Sequence, residues 1–164
     1  MNVVIVGCGR VGAFLAGLLD DGGNAVTIVD RERAAFAHLP QSFGGTTLLG
    51  SGIDMDILRQ AGIETAEAFL ALTEGDNRNL MAAQIAKQLF KIDRVIAKVN
   101  DPIRAQMYRA RGITTVSRTT ILGTLLHALL TGNKELGTKL VAQANRYEVE
   151  MAGQAPRAGG VAEG

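Results

Sequence analysis

Short apolar, β-branched runs alternate along this chain with longer stretches in which apolar positions recur at helical spacing. Asn2-Val3-Val4-Ile5-Val6 opens the series as a strand, and the pattern predicts further strands over 25–29, 46–49, 67–72, 94–99 and 113–116. Between and after them the spacing predicts helices over 11–20, 31–38, 54–61, 77–90, 102–110 and 119–131. Six such β–α units with short connections predict an α/β fold built on a doubly wound, six-stranded parallel sheet. The expected strand order is 3-2-1-4-5-6. A ligand crevice then opens at the carboxyl ends of strands 1 and 4, where the order reverses.

The first connection carries the strongest chemistry. Gly7-Cys8-Gly9-Arg10-Val11-Gly12 has the spacing G-x-G-x-x-G, and Val11, Phe14, Leu15, Leu18 and Leu19 follow at helical intervals. Glycines let the main chain turn sharply and let a diphosphate approach it. The following helix aims free N–H groups and its positive dipole end at that anion. The second strand ends at Asp30, at the distance of about 20 residues that a dinucleotide-binding, Rossmann-like fingerprint requires. A carboxylate there accepts hydrogen bonds from ribose hydroxyls and repels a 2′-phosphate, which disfavours NADP. Arg31 beside it either lies over an adenine or pairs with a phosphate.

The predicted topology brings further loops to the same sheet edge. These are Gly50-Ser51-Gly52 after strand 3, Thr73-Glu74-Gly75-Asp76-Asn77 after strand 4, and Asn100-Asp101 after strand 5. Ser51 is either a small polar side chain against an adenine edge or part of an ordinary flexible turn. Thr73 either faces the phosphates or serves the loop. Asp76 is expected to cap the helix that follows. Cys8 sits at a helix N-terminus, where a thiolate is favoured, or packs as a small side chain under the loop. His38 and His127 fall in different predicted helices, so no metal constellation is expected.

Composition narrows the function classes. Seventeen basic and sixteen acidic residues nearly cancel, and five Phe, two Tyr and no Trp leave few stacking platforms, so a nucleic-acid partner is not expected. One cysteine allows no internal disulfide. The apolar runs fall short of the roughly 18–20 residues that span a bilayer, and the chain enters a strand at once, so a cytoplasmic protein without a signal segment is expected. Ile121, Leu122, Leu125, Leu126, Leu129 and Leu130 leave the last predicted helix almost without a polar face. Such a helix must be covered on most sides. Two covers are open: a second subunit, which makes it a dimer crossover helix, or residues 134–151 of its own chain. Residues 132–151 read as a short C-terminal extension, and the Gly/Ala-rich stretch 152–164 reads as a disordered tail.

The strings GCGRVG at 7–12, VDRE at 29–32, LLGSGIDMDILRQAGIETAEAFLALT at 48–73, GDNRNLMAAQIAK at 75–87 and VIAKVNDP at 95–102 carry a family resemblance. Over residues 1–131 the chain resembles the N-terminal nucleotide-binding domain of Trk/Ktr potassium-uptake regulators, the RCK, KTN or TrkA-N domain. The resemblance implies a Rossmann-like sheet ending in a C-terminal crossover helix. It implies a regulatory subunit of a potassium channel or transporter rather than an enzyme, binding NAD(H) or an adenine nucleotide such as AMP, ADP or ATP. The implied partners are a second copy in a homodimer or higher ring, a membrane-embedded potassium transporter or channel subunit at the inner face of the cell membrane, and a second RCK chain.

By position, the resemblance places Gly7, Cys8, Gly9, Arg10, Val11 and Gly12 in the phosphate loop, with Arg10 reaching nucleotide phosphates, in some relatives across a dimer. It places Asp30 on the ribose with Arg31 near it, Gly50, Ser51 and Gly52 at the adenine, and Thr73 at the phosphates. Lys98 and Asn100 close the far side. Many relatives carry Asp where this chain has Ser51. The stretch Ser117-Arg118-Thr119-Thr120 lacks the carboxylate that holds a divalent metal in ATP-type relatives, so no metal site is expected. A rival reading is a small NAD-dependent oxidoreductase, or a cofactor-binding fragment of one. It needs an acid–base group at the nicotinamide end, and Lys98 is the only candidate.

Overall fold

The computed structural model describes residues 1–131. Its strands are β1 (Asn2–Val6), β2 (Ala25–Asp30), β3 (Thr46–Leu49), β4 (Ala68–Ala71), β5 (Arg94–Lys98) and β6 (Thr114–Val116). All pairings are parallel and the order is β3-β2-β1-β4-β5-β6, as the sequence predicts. The helices are α1 (Arg10–Asp21), α2 (Met55–Gln60), α3 (Asp76–Gln84), α4 (Pro102–Arg109) and α5 (Arg118–Thr131). The expected extension 132–151 and tail 152–164 lie outside the described residues.

Alternation along β1 divides the core in two. Val3 and Ile5 join Ala13 and Ala16 of α1 and Val26 and Ile28 of β2 on one face. Val4 and Val6 join Leu58, Phe69, Leu80 and Val95 on the other. Burial on both faces explains why the central strands β1 and β4 read as nearly unbroken apolar runs, whereas the edge strands β3 and β6 carry Thr and stay more exposed. In α1 the buried positions are Gly12, Ala13, Ala16 and Gly17. Small residues let this helix lie close to the sheet, and the large side chains of Val11 and Phe14 are left exposed.

Three local expectations change. The helix predicted over 31–38 is a 3-10 segment, Arg33–His38, with no buried residue to reward a full α-helical face. The helix predicted over 77–90 is α3 followed by a π-helical turn, Ile85–Leu89, which closes through Phe90 N–H to the Ile85 carbonyl. Asp76 is not the cap of α3. Gly75 occupies that position, and the Asp76 carboxylate instead accepts from the amides of Asn100 and Asp101, at 2.9 Å each. That bond pair ties the β4–α3 loop to the β5–α4 loop, where a carboxylate satisfies two otherwise orphaned donors.

Candidate functional site

The sheet edge at the carboxyl ends of β1 and β4 holds a cleft of about 260 Å³. This is just below the roughly 300–1,000 Å³ usual for small-molecule sites. Its floor is the β1–α1 turn. Gly7 has φ +105°, and a Cβ there would meet the Leu72 carbonyl carbon and the Thr73 nitrogen at 2.8 Å. A Cβ on Gly12 would lie 1.9 Å from the Gly7 carbonyl oxygen. Only glycines let the turn lie flat between α1 and the β4 loop. The α1 cap, Gly9, makes no side-chain cap bond, so the floor presents main-chain N–H groups rather than side chains.

Asp30 forms one wall at the end of β2. Its Oδ2 accepts from Cys8 N–H at 2.7 Å and its Oδ1 accepts from Glu32 N–H at 2.9 Å. Each oxygen keeps acceptor capacity, and the half-buried residue lines the cleft. The fixed carboxylate is therefore aimed, not mobile, and suits a vicinal diol. Gly50, Ser51 and Gly52 form the adjoining wall, held by Gly50 N–H to the Asp30 carbonyl at 2.8 Å. Thr73 closes the opposite side. Its hydroxyl and N–H both bond Asn79 Oδ1, at 2.7 and 2.8 Å, so Thr73 serves the loop and lines the cleft at once.

The structure thus gathers Gly7, Gly9, Asp30, Arg31, Gly50, Ser51, Gly52 and Thr73 around one cleft. Other expected residues stand elsewhere. Cys8 is fully buried beneath the turn. Its thiol is pushed up to about 11, first by burial and then by the Asp30 charge, so the helix N-terminus does not yield a thiolate. Gly12 is packing beneath the floor. Arg10 and Val11 start α1 with exposed side chains outside this chain's own cleft.

Lys98 is buried at the end of β5 and gives its Nζ to Glu74 Oε1 at 3.2 Å. Asn100 is exposed, bonding Asp76 through its amide. Neither lines the cleft. The acid–base role weighed for Lys98 therefore has no contact with the space where a ligand would sit. Among the described residues no cluster of three or more His, Cys, Asp or Glu is spaced for a metal ion.

Two residues escaped the sequence reading. Asn79 is fully buried, and its amide bonds four groups: Thr73 N–H, the Thr73 hydroxyl, the Thr73 carbonyl and the Lys98 carbonyl. A polar residue in the apolar phase of a helix was the available signal. Arg78, one position earlier, lines the cleft from the β4 side. Nothing in its local sequence marks it.

Residues 3–119 match the TrkA-N domain family. The Trk system potassium uptake protein TrkA of Streptomyces coelicolor is 47% identical over 117 residues, which cover 71% of this chain and 52% of that protein. The chain thus spans about half the length of the curated relatives it matches. In structure it resembles the TrkA-N domain of the inner membrane protein ybaL from Escherichia coli, with a TM-score of 0.70 and 20% identity over 79% of this chain and 96% of that one. It also resembles GsuK solved bound to ADP, with a TM-score of 0.67 and 25% identity over 80% of this chain and 34% of that one.

Proposed function

The chain belongs to the TrkA-N domain family, and on that premise we propose that it is a nucleotide-binding regulatory module of a potassium-uptake system, not an enzyme. Its ligand is NAD(H) or an adenine nucleotide, AMP, ADP or ATP. The observation that carries this reading is the pairing of a side-chain-free floor, Gly7 to Gly9, with an Asp30 carboxylate that keeps acceptor sites facing the cleft. Amides take the phosphate and the carboxylate takes the sugar. An ADP-bound fold neighbour and relatives named for potassium uptake support it.

The partner is a membrane-embedded potassium transporter or channel subunit, and the module works at the inner face of the membrane. Among the described residues no helix is long and apolar enough to cross a bilayer. Assembly runs through α5, which has no buried residue although Ile121, Leu122, Leu126, Leu129 and Leu130 all lie on it. So much exposed aliphatic surface on one helix calls for a cover, and a second copy, in a homodimer or a higher ring, supplies it. A second RCK chain is a further partner of the assembly.

The ligand biases the transporter by its differential affinity for two arrangements of the paired subunits, a coupling of about 1–3 kcal/mol in comparable systems. Calorimetry of the full chain with AMP, ADP, ATP, NAD and NADH tests the site, and heat with at least one of them is expected. Silence across millimolar panels overturns the reading. Potassium flux in vesicles holding the transporter and this chain then tests the switch. Equal flux with every nucleotide and with none removes it.

A further inference from the structure

We infer that Arg78 is the specificity-determining residue for phosphates beyond the first, so that this chain's own cleft separates ATP and ADP from AMP. The inference rests on the nucleotide reading above.

Among the described residues only two basic ones line the cleft, Arg31 and Arg78. Arg31 is exposed and adjoins Asp30, at the sugar end. Arg78 is half-buried and stands on the opposite side, in the first turn of α3. Among the described residues its guanidinium has no hydrogen bond and no ion pair. The nearby carboxylates are already engaged: Glu74 by Lys98, and Asp76 by the amides of Asn100 and Asp101. Arg78 is therefore the uncompensated cation on this wall.

Its position is shaped by the loop. A Cβ on Gly75 would lie 3.3 Å from Arg78 Nε and 3.5 Å from Nη2. The bare glycine lets the guanidinium lie against the backbone beside the cleft. A ligand with its ribose at Asp30 and its first phosphate over Gly7 to Gly9 points its next phosphate across the β1–β4 switch point, toward this group. The planar fork of a guanidinium matches phosphate oxygens better than any other side chain. Beyond Arg78 the cleft adjoins a more open depression that Arg78 shares with Gly75, Asp76, Asn77 and Arg104.

Arg10, the residue that the family resemblance assigns to phosphates, begins α1 and lies outside this chain's cleft. Discrimination within one subunit falls to Arg78.

The test is calorimetry of the full chain and of Arg78→Ala, Arg78→Gln and Arg78→Lys with AMP, ADP and ATP. Arg78→Ala should leave AMP affinity within about twofold and weaken ATP roughly 10- to 100-fold, the range of a charge-assisted hydrogen bond. Arg78→Lys should recover part of the loss. AMP binding certifies that each variant is folded, and Arg78→Gln replaces Arg78→Ala should that one fail to fold. Unchanged ATP affinity, or equal losses for AMP and ATP, overturns the inference while leaving the nucleotide site standing. A wild-type chain that binds none of the three overturns the inference, and heat with NAD or NADH then leaves the nucleotide site standing, whereas silence with those two as well removes both.

Discussion

Two turns on the same sheet edge are each held by a side chain reaching in from elsewhere, and they end in opposite states. The β1–α1 turn is held by Asp30, whose two oxygens accept from Cys8 and Glu32 amides. The β4–α3 turn is held by Asn79, whose amide oxygen accepts twice from Thr73 and whose NH₂ group donates to the Thr73 and Lys98 carbonyls. Asn79 is saturated, neutral and fully buried. Asp30 is charged, half-buried and keeps free acceptor sites. The same device is spent on rigidity at one turn and left open for a ligand at the other. A polar clamp becomes a binding group when its charge and remaining lone pairs face the cleft.

The comparison can be broken most directly at the saturated clamp. Asn79→Ala leaves the Thr73 N–H and two carbonyls without their partner, each a penalty of about 1–3 kcal/mol. We expect a loss of roughly 3 kcal/mol or more in urea unfolding. A loss under about 1 kcal/mol would show that water replaces the clamp and that this turn is not distinct from the other.

Asp30→Ala probes the open clamp. It should weaken AMP, ADP, ATP and NAD alike, by roughly 10- to 100-fold, because every one presents the same ribose. Its cost to folding should stay near 1–2 kcal/mol, well below that of Asn79→Ala. Selective loss of one nucleotide in calorimetry would contradict the shared sugar contact.

Charge placed on α5 should leave both clamps alone. Leu126→Glu with Leu130→Glu introduces two carboxylates into the exposed aliphatic face. Sedimentation should show dissociation of the assembly, with AMP affinity per subunit within about twofold of wild type. An unchanged mass would mean that α5 is not the interface.

The effect confined to alkaline pH lies in the thiol that shares the Asp30 clamp. Cys8 has its pKa raised from 9.0 to about 11 in the folded chain. Between those values the unfolded chain releases a proton that the native chain retains, so stability falls as pH rises through that window and is unaffected below it. Cys8→Ala should remove this part of the pH dependence. Asp30→Asn should move its upper limit down, because the Asp30 charge is the second cause of the shift after burial. Identical pH profiles for wild type and Cys8→Ala would refute the shift.

Much of this molecule is written in short-range pattern. The central strands β1, β2, β4 and β5 are largely apolar runs with buried positions on both faces, the edge strands β3 and β6 are Thr-rich and more exposed, and each expected strand is present within a residue or two. The glycine motif and Asp30 follow from spacing, because a tight turn and a strand end are local features. The helix boundaries at 31–38 and 77–90 were less legible. A 3-10 segment and a π turn depend on what packs beside them, and apolar spacing alone does not report that.

What the amino-acid order decided without help is the alternation of strands and helices, the glycine turn and the acidic end of β2. These are properties of neighbours in the chain. What only the tertiary structure decided is which side chains from distant segments share one space. It brought Arg78 to the cleft, left Arg10 exposed at the start of α1, engaged Lys98 with Glu74, and set Asn79 as a lock under Thr73. The reason is physical. A parallel sheet juxtaposes loops separated by tens of residues, and whether a charge there is paired or free depends on partners that no local window contains.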